Sequence, residues 1–235
     1  MSMKHAFYSM ALAATLALTR VLAAEDCEEN TAVQVQAKAV KADPKNALNN
    51  FNLASAYYNN KCYDSAIDAF ERTLKFVKGE SKEHRDMRFE CLSALGGLYY
   101  SAKQDSEQAI ENFKKALDLR PADKYSLNAL SMAYVKAGDS ENAMTYLKKT
   151  LLADPRNVEA HYRMAVLLNT KAEAVMKDGK SKDQRLDQAD PKLFRELVEA
   201  FEDTGRLADP TDNKEILLMS NTRLGELYRD SGQVE

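Results

Sequence analysis

Tryptophan is absent from the 235 residues, and histidine (3), cysteine (3), proline (5) and glycine (8) are all scarce. Each shortage removes a class of function. His84 and His161 lie far apart, and no closely spaced set of Cys and His could hold zinc, so no metal site is expected. Neither Gly-x-x-x-x-Gly-Lys nor Gly-x-Ser-x-Gly occurs, which leaves no phosphate loop and no nucleophile elbow. The pair Gly96-Gly97 falls inside an apolar helical pattern, where close packing explains it. Thirty-three basic residues against 36 acidic ones give no positive surface for nucleic acid. Carboxylates are plentiful but fall on charged helix faces and in loops, where solvation accounts for them. The expectation is a protein without catalytic residues or cofactor, and not an enzyme.

The few prolines are placed with a pattern. Four Ala-Asp-Pro tripeptides end at Pro44, Pro155, Pro191 and Pro210, and Pro121 and Pro155 stand 34 residues apart at the same kind of boundary. Between Lys124 and Pro155, Leu127, Leu130, Ala133 and Tyr134 form one apolar helical stripe and Gly138-Asp139 breaks it. Ala143, Met144, Leu147 and Leu151 then form a second stripe. Two amphipathic helices joined by a short turn cannot bury both apolar faces alone, so such units stack on others of their kind.

The residues of this unit resemble the tetratricopeptide repeat (TPR). With Lys124 as position 1, Leu130 (7), Ser131 (8), Tyr134 (11), Gly138 (15), Ala143 (20), Leu147 (24) and Pro155 (32) match its pattern. Repeat one keeps Leu53, Ala54, Tyr57, Ala66 and Phe70, lacks the closing proline, and is followed by a charged extension over 77–88. Repeat two keeps Leu95, Gly96, Tyr99, Ala109, Phe113, Ala116 and Pro121, with one extra residue in its turn. Repeat four begins with His161, Met164, Ala165 and Leu168, and its first helix runs on to about 176, far enough to project beyond the stack. Its second helix starts only after Pro191, with Asp190 as the N-cap. Leu224-Gly225-x-x-Tyr228 with Gly232 reads as one more first helix. The resemblance implies an all-α solenoid of antiparallel helix pairs, about four repeats plus flanking helices. Small residues (Ala54, Ala66, Gly96, Ala109, Ser131, Ala143) are expected where paired helices approach, and Tyr57, Tyr99, Tyr134, Phe70 and Phe113 between repeats.

The N-terminus reads as an address. Lys4 precedes an apolar run over 6–18, and Val21-Leu22-Ala23 offers a cleavage site before Glu25-Asp26. Thirteen apolar residues are too few to span a bilayer, which favours a cleaved signal at 1–24 over an uncleaved inner-membrane anchor, the alternative. The organisation expected is a signal at 1–24, an N-terminal half-repeat or capping helix at 25–45, and a solenoid over 46–235 interrupted by an insertion at about 170–192. The segment Asp178-Gly179-Lys180-Ser181-Lys182 reads there as a charged loop, either a solvated linker or an arm that docks a partner. No segment after the signal is apolar enough to cross a membrane. In an exported protein cysteines can oxidise. The repeat register places Cys27 and Cys62 at one edge of the stack and Cys91 at the opposite edge, so either Cys27 pairs with Cys62 or all three stay reduced.

In the family the groove is lined by first-helix positions 2, 5, 6, 9, 12 and 13. That register implies a partner-binding surface of Phe51, Asn52, Ser55, Tyr58 and Asn59 in repeat one and Tyr100 in repeat two. Repeat three adds Tyr125, Asn128, Met132 and Lys136, and repeat four adds Tyr162, Arg163 and Asn169. Aromatic rings beside amides suit an extended peptide. The Lys and Asn with which one subgroup clamps the C-terminal carboxylate of cytosolic chaperones are replaced here by Phe51 and Ser55. The function expected is an exported, periplasmic scaffold or adaptor that binds peptide segments or partner proteins and supports assembly of envelope or secreted complexes. The alternatives are a structural protein that self-assembles through its C-terminal helix, and a periplasmic holdase.

Overall fold

A computed structural model describes residues 27, 29–177 and 185–232. The expected signal at 1–24 and the charged loop at 178–182 lie outside the described residues. The described residues form helices and no strand. They divide after Arg120 into two compact units. The first contains α1 (Thr31–Ala42), α2 (Ala47–Asn59), α3 (Tyr63–Phe76), α4 (Lys82–Leu98), a π-helical turn (Tyr99–Lys103) and α5 (Ser106–Leu119). The second contains α6 (Lys124–Lys136), α7 (Ser140–Ala153), α8 (Val158–Lys177), the short α9 (Leu186–Ala189), α10 (Pro191–Leu207) and α11 (Lys214–Asp230). The repeat pairs are α2 with α3, α4 with α5, α6 with α7, and α8 with α10. Helix α1 packs on α2, and α11 packs on α10.

Proline sets the corners between pairs. The Pro ring disfavours helical geometry in the residue before it, and Asp43, Arg120, Asp154 and Asp190 all adopt the same extended conformation, with φ between −136° and −144° and ψ between 82° and 87°. Two residues past three of these prolines stands an Asn or Asp that caps the next helix. The amide of Asn49 donates to Asn46 (3.0 Å), that of Ser126 to Asp123 (2.8 Å) and that of Ala160 to Asn157 (3.0 Å). Each bond satisfies an amide that the helix start leaves unpaired. Asn50 and His161, one turn further on, reach back to the carbonyls of Pro44 (3.0 Å) and Pro155 (3.0 Å).

The turn inside each of the first three pairs has a left-handed residue, Lys61, Gln104 and Gly138, with φ of 61°, 57° and 78°, and Gly232 takes the same conformation after α11, with φ of 66°. Only the last two are glycine, the residue that adopts this conformation freely. In repeats one and three the carbonyl of the conserved-pattern tyrosine, Tyr57 or Tyr134, accepts from the fifth amide along, Cys62 (2.9 Å) or Asp139 (3.0 Å). In repeat two Tyr99 accepts from the sixth, Asp105 (2.9 Å). The wider π-helical turn absorbs the extra residue there, so the rest of the repeat keeps its register.

Two expectations are corrected. The charged segment at 77–88 is not a separate extension of repeat one: Val77 is buried, Ser81 caps α4, and residues from Lys82 onward are added first turns of that helix. Arg88 holds the connection by donating to the Gly79 carbonyl (2.7 Å) and pairing with Glu80 (3.1 Å). Helix α8 does reach Lys177, but its last turns do not project. Ala172 is buried and Val175 packs against the core made by Met164, Leu168, Leu193, Leu197, Phe201 and Leu227.

The expected close approaches are present within each unit. Ala54, Ala66, Ala109, Ser131, Ala143 and Ala165 are fully buried. At Gly96 a Cβ would lie 2.7 Å from the ring of Phe113, itself buried in α5. A ring wedged in a helix contact cannot give way cheaply. Gly96→Ala should therefore destabilise the protein by about 1–3 kcal/mol despite alanine's better helix propensity; a denaturation midpoint equal to or above wild type would contradict this packing.

Candidate functional site

On α2, Phe51, Ser55 and Tyr58 share a face at helical spacing, with Asn52 beside them half-buried. Their roles differ. The Phe51 ring packs edge-to-face on Phe70 at 6.1 Å, so much of it serves the core. The Ser55 hydroxyl donates to the Phe51 carbonyl (3.0 Å). Tyr58 is 47% exposed and Asn59 exposed, and Tyr100 is half-buried in the π-helical turn.

The second unit brings its predicted residues together. Tyr125, Asn128 and Met132 lie along one face of α6, and Lys136 is exposed at that helix's end. Tyr162, Arg163 and Asn169 lie along α8. Arg163 donates to the Asn128 side chain (3.5 Å) and pairs with Glu159 (2.9 Å). Asn169 accepts from Arg223 Nε of α11 (2.8 Å) and donates to Glu173 (3.0 Å), while Arg223 also pairs with Glu226 (2.7 Å). The Tyr162 hydroxyl donates to Met219 Sδ (3.3 Å). Burial first, and then the nearby Glu159 carboxylate, hold the Tyr162 phenol above its ordinary value, so it stays a neutral donor. The result is a polar ladder across α6, α8 and α11. It is flanked by exposed apolar surface: Tyr125 is 60% exposed, Met219 56% and Val166 40%.

Met219 and Arg223 are part of this face and were missing from the sequence prediction. The signal for them was present. Taking Leu224-Gly225-x-x-Tyr228 as positions 7, 8 and 11 puts Met219 at position 2 and Arg223 at position 6. The same register applied to α8 adds Glu159 and Val166. Among the described residues no cluster of three His, Cys, Asp or Glu could hold a metal ion, and no helix is long and apolar enough to cross a membrane.

The sulfurs of Cys27 and Cys62 form a disulfide with Cα atoms 6.0 Å apart. It sits beside the Asn30–Asn60 side-chain bond (2.7 Å) and joins the start of α1 to the turn between α2 and α3. Cys91 is free, but not at an edge as its register position implied. It is fully buried among Ala66, Phe70 and Leu95, and Ser126 and Ala160, at the same position of repeats three and four, are fully buried too. Burial pushes its thiol up to about 12.

Comparison with known proteins agrees with this architecture. Two family models, both described as tetratricopeptide repeat, match residues 46–122 and 100–167. The chain therefore carries tetratricopeptide repeats and is an α-solenoid of that class. BBSome complex member BBS4 from Bos taurus is 27% identical over 143 residues, covering 61% of this chain and 26% of that protein. DnaJ homolog subfamily C member 3 from Rattus norvegicus is 25% identical over 184 residues, covering 74% of this chain and 34% of that one. The chain thus spans about a quarter to a third of these two curated relatives. Among solved structures, YrrB, described as a TPR protein with an unusual peptide-binding site, aligns with a TM-score of 0.61 at 16% identity, over 86% of this chain and 88% of that one. MamA aligns with a TM-score of 0.53 at 18% identity, over 74% and 89%.

The cysteine arrangement is directly testable. With its thiol raised to about 12, Cys91 adds stability that is fully present below the unfolded thiol's value of 9.0 and is lost as pH climbs toward 12. At about pH 8 the native protein should resist iodoacetamide altogether. Unfolding without reductant should expose one thiol, and unfolding with reductant all three. Rapid native alkylation of Cys91, or a peptide map linking it to another cysteine, would contradict the structure.

Proposed function

We propose that the protein is an exported, periplasmic scaffold that binds a peptide segment of a partner on the first-helix face of its repeats and thereby helps assemble envelope or secreted complexes. The carrying observation is the face of α6, α8 and α11. The Asn128–Arg163 and Asn169–Arg223 ladder there presents amides and guanidinium groups beside the exposed side chains of Tyr125, Val166 and Met219. Amides can pair with a peptide backbone, and a ring and a thioether can cover its apolar side chains. Tetratricopeptide repeats are protein-interaction modules, and the peptide-binding site in the description of YrrB fits the same kind of use. Export is supported by the leader-like sequence at 1–24 and by the Cys27–Cys62 disulfide, a bond favoured in oxidising compartments.

The exposed Leu218 of α11, at 66%, favours a second reading, in which this helix packs on another copy. Concentration-dependent mass by sedimentation separates the two.

Replacing Tyr125 and Met219 together by alanine should leave the melting curve close to wild type, because both side chains project from the core. It should weaken the partner captured from the native envelope by about thirtyfold, the loss of about 2 kcal/mol typical of an interface anchor. Wild-type affinity in the double variant would remove this face from the proposal.

A further inference from the structure

Away from the ladder, the second unit has an open cleft of about 540 Å³ between α7 and α10, floored by α8. Its α8 residues are His161, Met164, Leu168 and Lys171, a different face of the helix from Tyr162, Val166 and Asn169. Between His161 and Lys171 the floor is apolar, with Met164 and Leu168 joined by Met144, Leu151 and Ala200.

A substitution in the repeat pattern stands at this opening. Position 11 is tyrosine in repeats one to three (Tyr57, Tyr99, Tyr134) and leucine, Leu168, in repeat four. Tyr99 shows what the ring does. It crosses from α4 to the preceding pair, where its hydroxyl donates to Glu71 of α3 (2.8 Å), and burial together with that bond pushes its phenol up to about 12. The residue of α7 in the place of Glu71 is Lys148, and Lys148 and Leu168 both line the cleft. Leucine lacks the ring and the hydroxyl that would close this gap.

The walls carry charge of mainly one sign. Glu196, Glu199 and Asp203 form a carboxylate stripe along α10, and Glu141 adds a fourth on α7, against two lysines, Lys148 and Lys171. Glu196 pairs with Lys192 (3.8 Å) and Asp203 with Arg206 and His161, whereas Glu199 and Glu141 make no ion pair among the described residues. Two methionines on the floor supply polarisable contacts that suit an aromatic ring.

We propose that this cleft docks a partner segment that inserts an aromatic side chain where the other repeats carry their own tyrosine, with basic residues flanking it against the α10 carboxylates. The site is independent of the first-helix face, so either assignment can fail without the other.

The test uses the full chain and fluorescein-labelled synthetic peptides: Lys-Lys-Phe-Leu-Lys-Lys, the same peptide with Ala for Phe, and Glu-Glu-Phe-Leu-Glu-Glu. By anisotropy the basic phenylalanine peptide should bind saturably and weaken with salt, with the other two at least about tenfold weaker. Leu168→Tyr, which supplies the missing ring from within, should reduce its affinity by about tenfold or more while helix content is retained. Glu199→Lys, an exposed change that leaves the core untouched, should weaken it as well and decides the matter if Leu168→Tyr loses helix. Unsaturable binding of the basic peptide, equal binding of the acidic one, or wild-type affinity in both variants overturns the proposal.

Discussion

Each helix pair closes because one side of the contact offers little or no side chain. Gly96 lies against the Phe113 ring with no room for a methyl group, and Ala54, Ala66, Ala109 and Ala143 are wholly buried at the corresponding places. Close approach fixes the rotation of the two helices, and rotation decides which side chains point at the next pair. Volume left between neighbouring helices within the first unit is filled by longer side chains at position 11: Tyr57 packs on the core of Val33 and Leu53, and Tyr99 reaches Glu71. The packed core, the polar ladder and the cleft all follow from that division between small residues within pairs and large ones between them.

The repeats tolerate irregularity where backbone geometry can absorb it locally. One extra residue in repeat two becomes a π-helical turn ending at left-handed Gln104, and the Tyr99 carbonyl still closes the turn onto Asp105. Lys61 holds a left-handed conformation that glycine would adopt more readily, anchored by Cys62 next to it in the disulfide. The added residues before repeat two lengthen α4 at its start. Its new turn is tied down by Arg120, which pairs with Asp86 (2.7 Å) and Glu90 (3.2 Å) and lies 3.8 Å over the Phe89 ring. The Arg120 guanidinium beside Asp86 holds that carboxyl below its ordinary value, although both groups face solvent and such pairs contribute modestly.

Repeat four departs furthest, and its departures are linked. A longer α8 precedes an α10 that starts only at Pro191, and Leu168 in place of tyrosine lines the open cleft between α7 and α10. The same helix presents Tyr162 and Arg163 to α11 and α6 on another face. One element thus carries two chemically distinct surfaces, an amide and guanidinium ladder on one side and a methionine-floored, acid-walled cleft on the other.

The all-helical class, the antiparallel helix pairs, the pairing of small residues and the proline corners were legible in the sequence, because they depend on local spacing: apolar periodicity, Asp-Pro junctions and the 34-residue repeat. The same register also placed several expected groove residues on neighbouring helix faces. Asn128, Arg163 and Asn169 do share a ladder, and Met219 and Arg223 lay within reach of the rule that named them. Tertiary structure alone decided what each side chain spends itself on. Phe51 occupies a binding position in the register yet packs on Phe70, and Cys91 sits at a nominal edge yet is sealed in the core. The turns at the end of α8 looked free to project, yet Ala172 is buried. Spacing along one helix states which face a residue is on. Only the neighbouring helices, brought in from distant parts of the chain, determine whether that face meets solvent, a partner or the core.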